Sequence, residues 1–426
     1  MFEKSNIYIS GMGIVSSIGF DIASFSNSLI KGKSGIDYEI NNTQSNFSKN
    51  IIAKINNFNF KNSLNKITDL SEKKKEFILH IAQKSPLFIQ TSIIAALQAW
   101  YNSKLHKKKY KILPERIGLI IAGHNTTQNY QYSLYPEFLK KPEYLSPRYA
   151  IQFMDSNQIG IMSEIFNIRG EGFIIGGASA SGNIGIIHGM RLIQNNIVDA
   201  CLIISAMTDL SPMEIQAFHA IGAMGGKNFY NFPKKTCRPF DKLAEGFIYG
   251  QASAALLIEG NKNIKILNKS YLARLLGGVI NLHATASPEP NLNNEISVMN
   301  SVLKQSGLKK NMIDYLNTHG SSSPLGDKIE ISAIKEVYKN HFSKLLLNST
   351  KSLTGHCLYS SGIVEIIASV IQMRKKFIHP NLNLESPIDN QANFSGKKSI
   401  SININNVMSN SFGFSGINSS IILCKK

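Results

Sequence analysis

Residues 246–258 read GFIYGQASAALLI, a glycine-rich turn that leads into a run of small and apolar side chains typical of a buried strand. Residues 411–423 read SFGFSGINSSIIL and repeat this arrangement about 165 residues later. A repeat of this kind indicates that two units of similar structure are joined in one chain. The sequence therefore predicts two similar halves, an N-terminal one over residues 1–259 and a C-terminal one over residues 260–426.

Around these stretches, short apolar runs alternate with longer helical patterns, which is typical of α/β architecture. We predict strands over residues 7–10, 117–121, 173–175, 200–205, 252–258, 315–317, 345–347 and 420–423, and helices over residues 86–101, 183–194, 293–305, 325–338 and 362–375. The segment 43–75 is rich in lysine and asparagine, so we expect it to run over the surface.

The composition describes a globular chain with a strongly basic balance. Of the 426 residues, 43% are hydrophobic and 17% are charged, which excludes intrinsic disorder. The 46 lysines and arginines outnumber the 28 acidic residues, and a net charge of +18 attracts nucleic acid, anionic membranes or an acidic carrier protein. Lysine, isoleucine and asparagine also crowd residues 104–111 and 400–406, as expected for an AT-rich gene, so the charge need not mark a binding surface.

The cysteines and the N-terminus give no sign of a metal site, a disulfide framework or a targeting segment. The four cysteines, at positions 201, 237, 357 and 424, are far apart and form no CxxC pair. The first residues lack the apolar core of a secretory signal, and no stretch approaches the roughly 20 apolar residues that a membrane span needs. We therefore expect a cytoplasmic protein without a metal site.

The first chemical motif lies at residues 174–183, IIGGASASGN, where an apolar strand meets very small residues and then a helical pattern. Free N–H groups and the helix dipole stabilise negative charge at a helix N-terminus. Ser179, at this junction, is therefore a candidate nucleophile or a residue that flanks an oxyanion hole. The alternative is that Ser179 only caps the helix.

Two further motifs carry a histidine after a predicted strand. Residues 316–327, LNTHGSSSPLGD, place His319 before three hydroxyls, where an imidazole can donate to a substrate oxygen. Residues 348–356, NSTKSLTGH, place Lys351 and His356 among small residues. Alternatively, His319 has only a structural role, Lys351 is solvated and His356 is a capping residue.

Together with residues 9–15 (ISGMGIV), 238–241 (RPFD) and 410–414 (NSFGF), these motifs resemble those of the β-ketoacyl-ACP synthases of the thiolase superfamily. The resemblance covers nearly the whole chain, and several motifs in the same order make it specific. It implies an α/β protein with a thiolase-like five-layered αβαβα fold built from two similar halves, normally assembled as a homodimer.

The resemblance also assigns catalytic roles. His319 and His356 would hydrogen-bond the thioester oxygen of malonyl-ACP and stabilise the enolate that forms as carbon dioxide leaves. Lys351 matches the lysine that orders the family's site, and it would be ion-paired with Glu365.

Binding roles follow from the same resemblance. The backbone N–H groups of Ser179 and Phe414 match the family's oxyanion hole. Ser321 and Ser323 replace threonines that contact the phosphopantetheine arm, and both keep the hydroxyl. That arm is carried by the ACP substrate, so we expect no tightly bound cofactor.

The nucleophile is where this chain departs from the family. Ketosynthases have a cysteine at the position of Ser179, and a thiolate forms far more easily than an alkoxide. Acyl transfer onto residue 179 should therefore be lost or very slow. Decarboxylation should survive, because it requires a stabilised enolate and no covalent enzyme intermediate.

A narrower resemblance leads to the same function. Residues 178–183, 210–214 and 246–253 are similar to those of stand-alone decarboxylating ketosynthase-like proteins of polyketide β-branching cassettes, which also have serine for cysteine. It implies conversion of malonyl-ACP to acetyl-ACP for a partner of the HMG-CoA synthase type. The partners would then be an acidic acyl carrier protein and that enzyme, with neither nucleic acid nor membrane involved.

The sequence also allows other functions. A non-catalytic partner subunit resembling a chain-length factor would usually lack the two histidines, and a condensing enzyme with a natural or engineered Cys-to-Ser change would act slowly through Ser179. An α/β-hydrolase is disfavoured, because Ser181 stands where a GxSxG turn requires glycine. Ser415 and Tyr359 occupy usual glycine positions of the family, which leaves the shape of the acyl pocket open.

Overall fold

The computed structural model describes residues 6–39 and 50–425. Its strands are β1 (Ile7–Ser16), β2 (Asp37–Tyr38), β3 (Ile51–Ile52), β4 (Ile117–Ala122), β5 (Gly172–Ile175), β6 (Ala200–Ser205), β7 (Ala252–Gly260), β8 (Ala273–Leu282), β9 (Tyr315–Asn317), β10 (Leu346–Asn348), β11 (Phe377–Ile378), β12 (Asn393–Phe394), β13 (Ile400–Ser401), β14 (Asn406–Gly413) and β15 (Ile417–Cys424). Its helices are α1 (Ile22–Lys31), α2 (Phe60–Asn65), α3 (Glu72–Ala82), α4 (Leu87–Asn102), α5 (Gln128–Lys140), α6 (Tyr149–Gln152), α7 (Ser156–Phe166), α8 (Ser181–Gln194), α9 (Pro212–Ala220), α10 (Asn261–Ile266), α11 (Leu292–Ser306), α12 (Pro324–Tyr338), α13 (Lys351–Thr354) and α14 (Ser361–Lys375).

The large sheet is built from two units with the same internal order. Its strands run β12-β10-β9-β14-β15-β8-β1-β7-β6-β4-β5. In the N-terminal unit β5, β4 and β6 are parallel, and β7 and β1 continue the sheet antiparallel. In the C-terminal unit β10, β9 and β14 are parallel, and β15 and β8 continue it antiparallel. The predicted similarity of the two halves is confirmed, whereas the boundary at residues 259 and 260 stays a prediction.

Helices cover both units and fill the space between them. On one outer face α4 packs against β1 and β7. In the middle α8 and α14 contact each other and share an apolar core with both units, and residues 361–373 of α14 are all buried. On the other outer face α11 and α12 pack over the C-terminal unit. These five layers confirm the predicted αβαβα fold.

The structure corrects the predicted elements in two respects. Three strands of the large sheet, β8, β12 and β14, are not among the predicted ones. Part of the segment 43–75 is not on the surface: Ile51, Ile52 and Ala53 are buried, and the N–H of Ala53 donates to the carbonyl of Tyr249. Residues 43–49 of that segment lie outside the described ranges.

A local repeat places the N-terminal ends of the central helices α8 and α14 side by side. The 3-10 turns Ala178–Ala180 and Leu358–Ser360 lead directly into α8 and α14, and their first residues have φ angles of 46° and 49°. Both helices then begin with Ser-Gly, and a Cβ on Gly362 would lie 2.7 Å from the backbone nitrogen of Asn183. Only glycine permits this approach of the two backbones.

No helix in the described ranges is both long and apolar enough to cross a membrane.

Candidate active site

Ser179 lies in the turn between β5 and α8, and its side chain faces a histidine. The Ser179 Oγ is 3.0 Å from Nε2 of His356. The N-cap residue of α8 is Ala180, and no side chain of the described residues caps this helix, so the interpretation of Ser179 as a plain helix cap is wrong. The Ser411 hydroxyl donates to the Ser179 carbonyl at 2.8 Å and fixes the turn to β14.

His356 is held as a neutral imidazole with its proton on Nε2. The N–H of Leu358 donates to Nδ1 at 3.1 Å, and the Ser361 hydroxyl lies 2.9 Å from the same atom. A ring nitrogen that accepts from a backbone N–H carries no proton, so the proton of the neutral ring is on Nε2. Burial and then the charge of Lys351 hold the pKa of His356 well below its usual value.

His319 presents the same kind of donor. The Lys351 ammonium is 3.4 Å from Nδ1 of His319, and since an ammonium only donates, Nδ1 accepts and the ring proton sits on Nε2. Burial, the charge of Lys351 and the neighbouring His356 keep the pKa of His319 well below its usual value. The two imidazole centroids lie 5.4 Å apart with planes at 77°.

Lys351 is buried beneath both histidines and is paired with Glu365. The two side chains are each 1% exposed, so the alternative of a solvated lysine is wrong. Besides its bond to Glu365, the ammonium donates to the His319 carbonyl at 2.5 Å. Burial raises the pKa of Glu365 to about 7, against the opposing effect of the ammonium.

Two carboxylates that the sequence analysis did not single out hold the loop of His319. Glu330 accepts from the N–H groups of His319 and Gly320 at 2.8 and 2.7 Å. Asp327 accepts from the N–H of Ser321 at 3.0 Å. Both acids lie on the buried face of α12. Their spacing of three residues on the helix that follows the histidine is the signal that could have identified them.

A pocket opens above Ser179 and the two histidines. Ser321, Ser323 and Phe414 line it, as do Phe218, Phe247, Phe412, His124 and Tyr359. A Cβ on Gly413 would lie 3.4 Å from the backbone nitrogen of Ser179, so the segment that carries Phe414 runs against the Ser179 turn. Tyr359 packs against His124, with ring centroids 4.6 Å apart and planes tilted by 36°.

The structure thus brings all the predicted site residues together. Ser179, His319, His356, Ser321, Ser323 and Phe414 line one pocket, and Lys351 and Glu365 lie below it. The roles assigned to them stay predictions. Among the described residues, no group of three or more His, Cys, Asp or Glu side chains is placed to hold a metal ion.

Comparison with known proteins identifies the family. Residues 4–263 match the N-terminal domain of the β-ketoacyl synthases, and residues 272–385 match their C-terminal domain. The chain is 34% identical to the polyketide biosynthesis malonyl-ACP decarboxylase PksF of Bacillus subtilis, over 98% of this chain and 96% of that protein. It is 29% identical to the 3-oxoacyl-[acyl-carrier-protein] synthase 2 of Coxiella burnetii, over 99% of each chain.

Solved structures share the fold. One is a type II polyketide synthase ketosynthase in complex with its acyl-carrier protein, with a TM-score of 0.85, 21% identity and full coverage of both chains. Another is a β-ketoacyl synthase from Burkholderia phymatum, with a TM-score of 0.83 and 22% identity over 99% of this chain and all of that one. The fold, the pocket and the match of both domains lead to one conclusion: this chain belongs to the β-ketoacyl synthase family.

Proposed function

We propose that the protein converts malonyl-ACP to acetyl-ACP for polyketide β-branching and forms no acyl-enzyme intermediate. The observation that carries this proposal is the pair of neutral imidazoles beside a serine. Both Nε2–H groups can donate to one substrate oxygen, and the serine hydroxyl is a poor nucleophile compared with a thiolate. The similarity to PksF, a malonyl-ACP decarboxylase, supports the same reaction.

Decarboxylation requires groups that stabilise the negative charge of the enolate. When the bond between C2 and the carboxylate of the malonyl group breaks, its electron pair moves into the thioester, which becomes an enolate. The N–H groups of His319 and His356 would stabilise the enolate oxygen, and they are already oriented by their Nδ1 contacts. The backbone N–H groups of Ser179 and Phe414 would serve as a second oxyanion hole.

The substrate would reach this site on its carrier. We propose that the phosphopantetheine arm enters the pocket past Ser321 and Ser323, that no cofactor is tightly bound, and that the net charge of +18 attracts an acidic acyl carrier protein. The acetyl-ACP product would be used by an enzyme of the HMG-CoA synthase type. The protein would act in the cytoplasm as a homodimer.

Intact-mass analysis of malonyl-ACP, incubated with the purified protein or with buffer, tests the reaction. We expect acetyl-ACP to form without acylation of the protein. His319→Ala and His356→Ala should each lower the rate at least about 100-fold, because each removes a donor to the enolate oxygen. Ser179→Ala should retain most of the activity.

Two results would contradict this mechanism. An inactive Ser179→Ala together with active histidine variants would show that the serine does the chemistry. Unchanged malonyl-ACP with several carrier proteins would instead favour a non-catalytic partner subunit, for which co-purification with an active ketosynthase is the next measurement.

A further inference from the structure

Glu295 is a buried carboxyl group in the pocket that the proposed mechanism leaves without a role. It lies on the first turn of α11, is 1% exposed, and lines the same pocket as Ser179, His319 and His356. Its Oε2 is buried and has no hydrogen-bond partner among the described residues. A buried carboxyl group without a partner is costly to the fold, so its presence calls for a function.

The contacts of α11 show that this face of the helix abuts the catalytic loop. Met299, one turn after Glu295, accepts a hydrogen bond from Asn410 Nδ2 at 3.4 Å. The same amide lies 3.3 Å from Oε1 of Glu330, which accepts from the N–H of His319. Glu295 therefore lies on the side of α11 that faces the loop of the first histidine.

The surroundings of Glu295 favour its protonated form. Burial raises the pKa of Glu295 well above its usual value, and the nearby carboxylates of Glu330 and Asp327 raise it further. A carboxyl group whose proton is retained more strongly than usual can act as a general acid.

We propose that Glu295 is a catalytic residue that delivers the proton to C2 of the enolate and so completes the acetyl group. This inference rests on the proposed decarboxylation. Carbon dioxide leaves without the bonding electrons, which remain in the enolate between His319 and His356. The electron pair then forms the new C2–H bond with the proton of Glu295, and the resulting carboxylate is reprotonated by water from the pocket mouth.

Hydrogen exchange into acetyl-ACP isolates this step from the loss of carbon dioxide. In the reverse direction, the carboxylate of the residue that protonates C2 must take a proton from the acetyl methyl group. Acetyl-ACP incubated with the native protein in D₂O should therefore gain deuterium in its methyl group, as measured by mass spectrometry of the acyl-phosphopantetheine. In Glu295→Gln the exchange should be about 100-fold slower, because the amide keeps the shape and loses the acid.

A second measurement distinguishes a loss of proton transfer from a general loss of activity. Consumption of malonyl-ACP by Glu295→Gln should fall less than about tenfold, since the bond to carbon dioxide breaks before the proton is transferred. Glu336→Gln, which removes an exposed acid from α12, is the control and should match the native protein in both assays. Glu295→Ala is the second variant, and its lost exchange should be partly restored by added formate, which can fill the space and supply the acid.

The outcomes are distinct. Native-rate exchange in Glu295→Gln, an equal loss of exchange and of malonyl-ACP consumption, or decarboxylation by a native protein that catalyses no exchange would each overturn the role of Glu295. A native protein that leaves malonyl-ACP unchanged would instead overturn the proposed function.

Discussion

His379 shows how one buried imidazole supports the strands under the site. Its Nδ1 lies 2.9 Å from the Pro380 carbonyl, which can only accept, so Nδ1 carries the proton. The Asn348 amide, 3.2 Å from Nδ1, donates instead to the His379 carbonyl at 2.8 Å. Its Nε2 then accepts from the hydroxyl of Thr350 at 3.1 Å, and that hydroxyl accepts from the amide of Asn317 on β9. Burial lowers the pKa of His379 from 6.5 to about 4.

Because of His379, the unfolding free energy should decrease in acid. The unfolded chain takes up a proton below pH 6.5 while the folded chain does not, so the folded state loses stability as the pH decreases toward 4. Between pH 7 and pH 5 the native protein should lose about 2 kcal/mol more unfolding free energy than His379→Gln, as measured by urea denaturation. His80→Gln, at an exposed position on α3, is the control. Equal losses in the native protein and in His379→Gln would contradict the assignment.

The buried Lys351–Glu365 pair should behave as one unit. Lys351→Met leaves Glu365 buried without its cation and should cost about 3 to 5 kcal/mol of unfolding free energy. The double variant Lys351→Met/Glu365→Leu should recover most of that loss, because no charge remains to be desolvated. Lys335→Met breaks the partly exposed pair with Asp389 and should cost less than about 1 kcal/mol. Additive losses in the double variant would show that the pair is not coupled.

The site residues that could be predicted are those that a local motif carries. Ser179, His319 and His356 each stand in a short pattern of small residues that the sequence displays directly. Ser361 and Glu330 stand outside such patterns, and their hydrogen bonds to the His356 ring and to the His319 N–H are seen only in the structure, although the spacing of Glu330 from Asp327 is a signal in the sequence. Glu295, which is 24 positions before His319, likewise stands in no such pattern, and only the fold shows that both line one pocket.

At the scale of elements, composition conceals the burial of β8 and β14, two of the three unpredicted strands of the large sheet. β14 contains Ser409, Asn410 and Ser411, which are all buried, and the fold provides side-chain hydrogen bonds for Asn410 and for Ser411, whose hydroxyl donates to the Ser179 carbonyl. β8 contains Gly277 and Gly278, and a Cβ at Gly278 would lie 2.6 Å from a side-chain carbon of Ile187 on α8. An apolar-run criterion fails on both strands, since the contacts that stabilise them come from distant parts of the chain.

Close packing between β1 and α4 gives a test at this scale. A Cβ on Gly13 would lie 2.0 Å from the carbonyl oxygen of Ala95, a backbone atom that cannot move alone. Gly13→Ala should therefore lower the unfolding free energy by about 2 to 3 kcal/mol. In Gly160→Ala on α7, no atom of the described residues lies within 4 Å of the new methyl group, and the change should instead stabilise the protein by up to about 1 kcal/mol. Equal effects of the two changes in chemical denaturation would disprove the packing explanation.

For the whole molecule, the central pair of helices explains why the chain needs both halves. Ser179 comes from the N-terminal unit, whereas His319, Lys351 and His356 come from the C-terminal unit. The two units meet through α8 and α14, whose first turns follow Ser179 and His356. The repeat of sequence predicted two similar units, and their docking through glycine contacts is what only the structure shows.

An exposed apolar segment provides a test of the proposed homodimer. Neither α5 nor α6 has a buried residue, although the segment from α5 to α6 carries large apolar side chains, and Leu139 and Tyr144 are 63% and 74% exposed. A surface of this kind is typical of a protein interface, and β5, the last strand of the large sheet, has an unpaired edge among the described strands.

We expect light scattering coupled to gel filtration to show that the native protein is a dimer. Leu139→Glu/Tyr144→Glu should shift it toward monomer, because two charges would be buried at the contact. Leu113→Glu, at an apolar position that is 68% exposed outside this segment, should remain dimeric. A native monomer, or a double variant that stays fully dimeric, would place the interface elsewhere or exclude it.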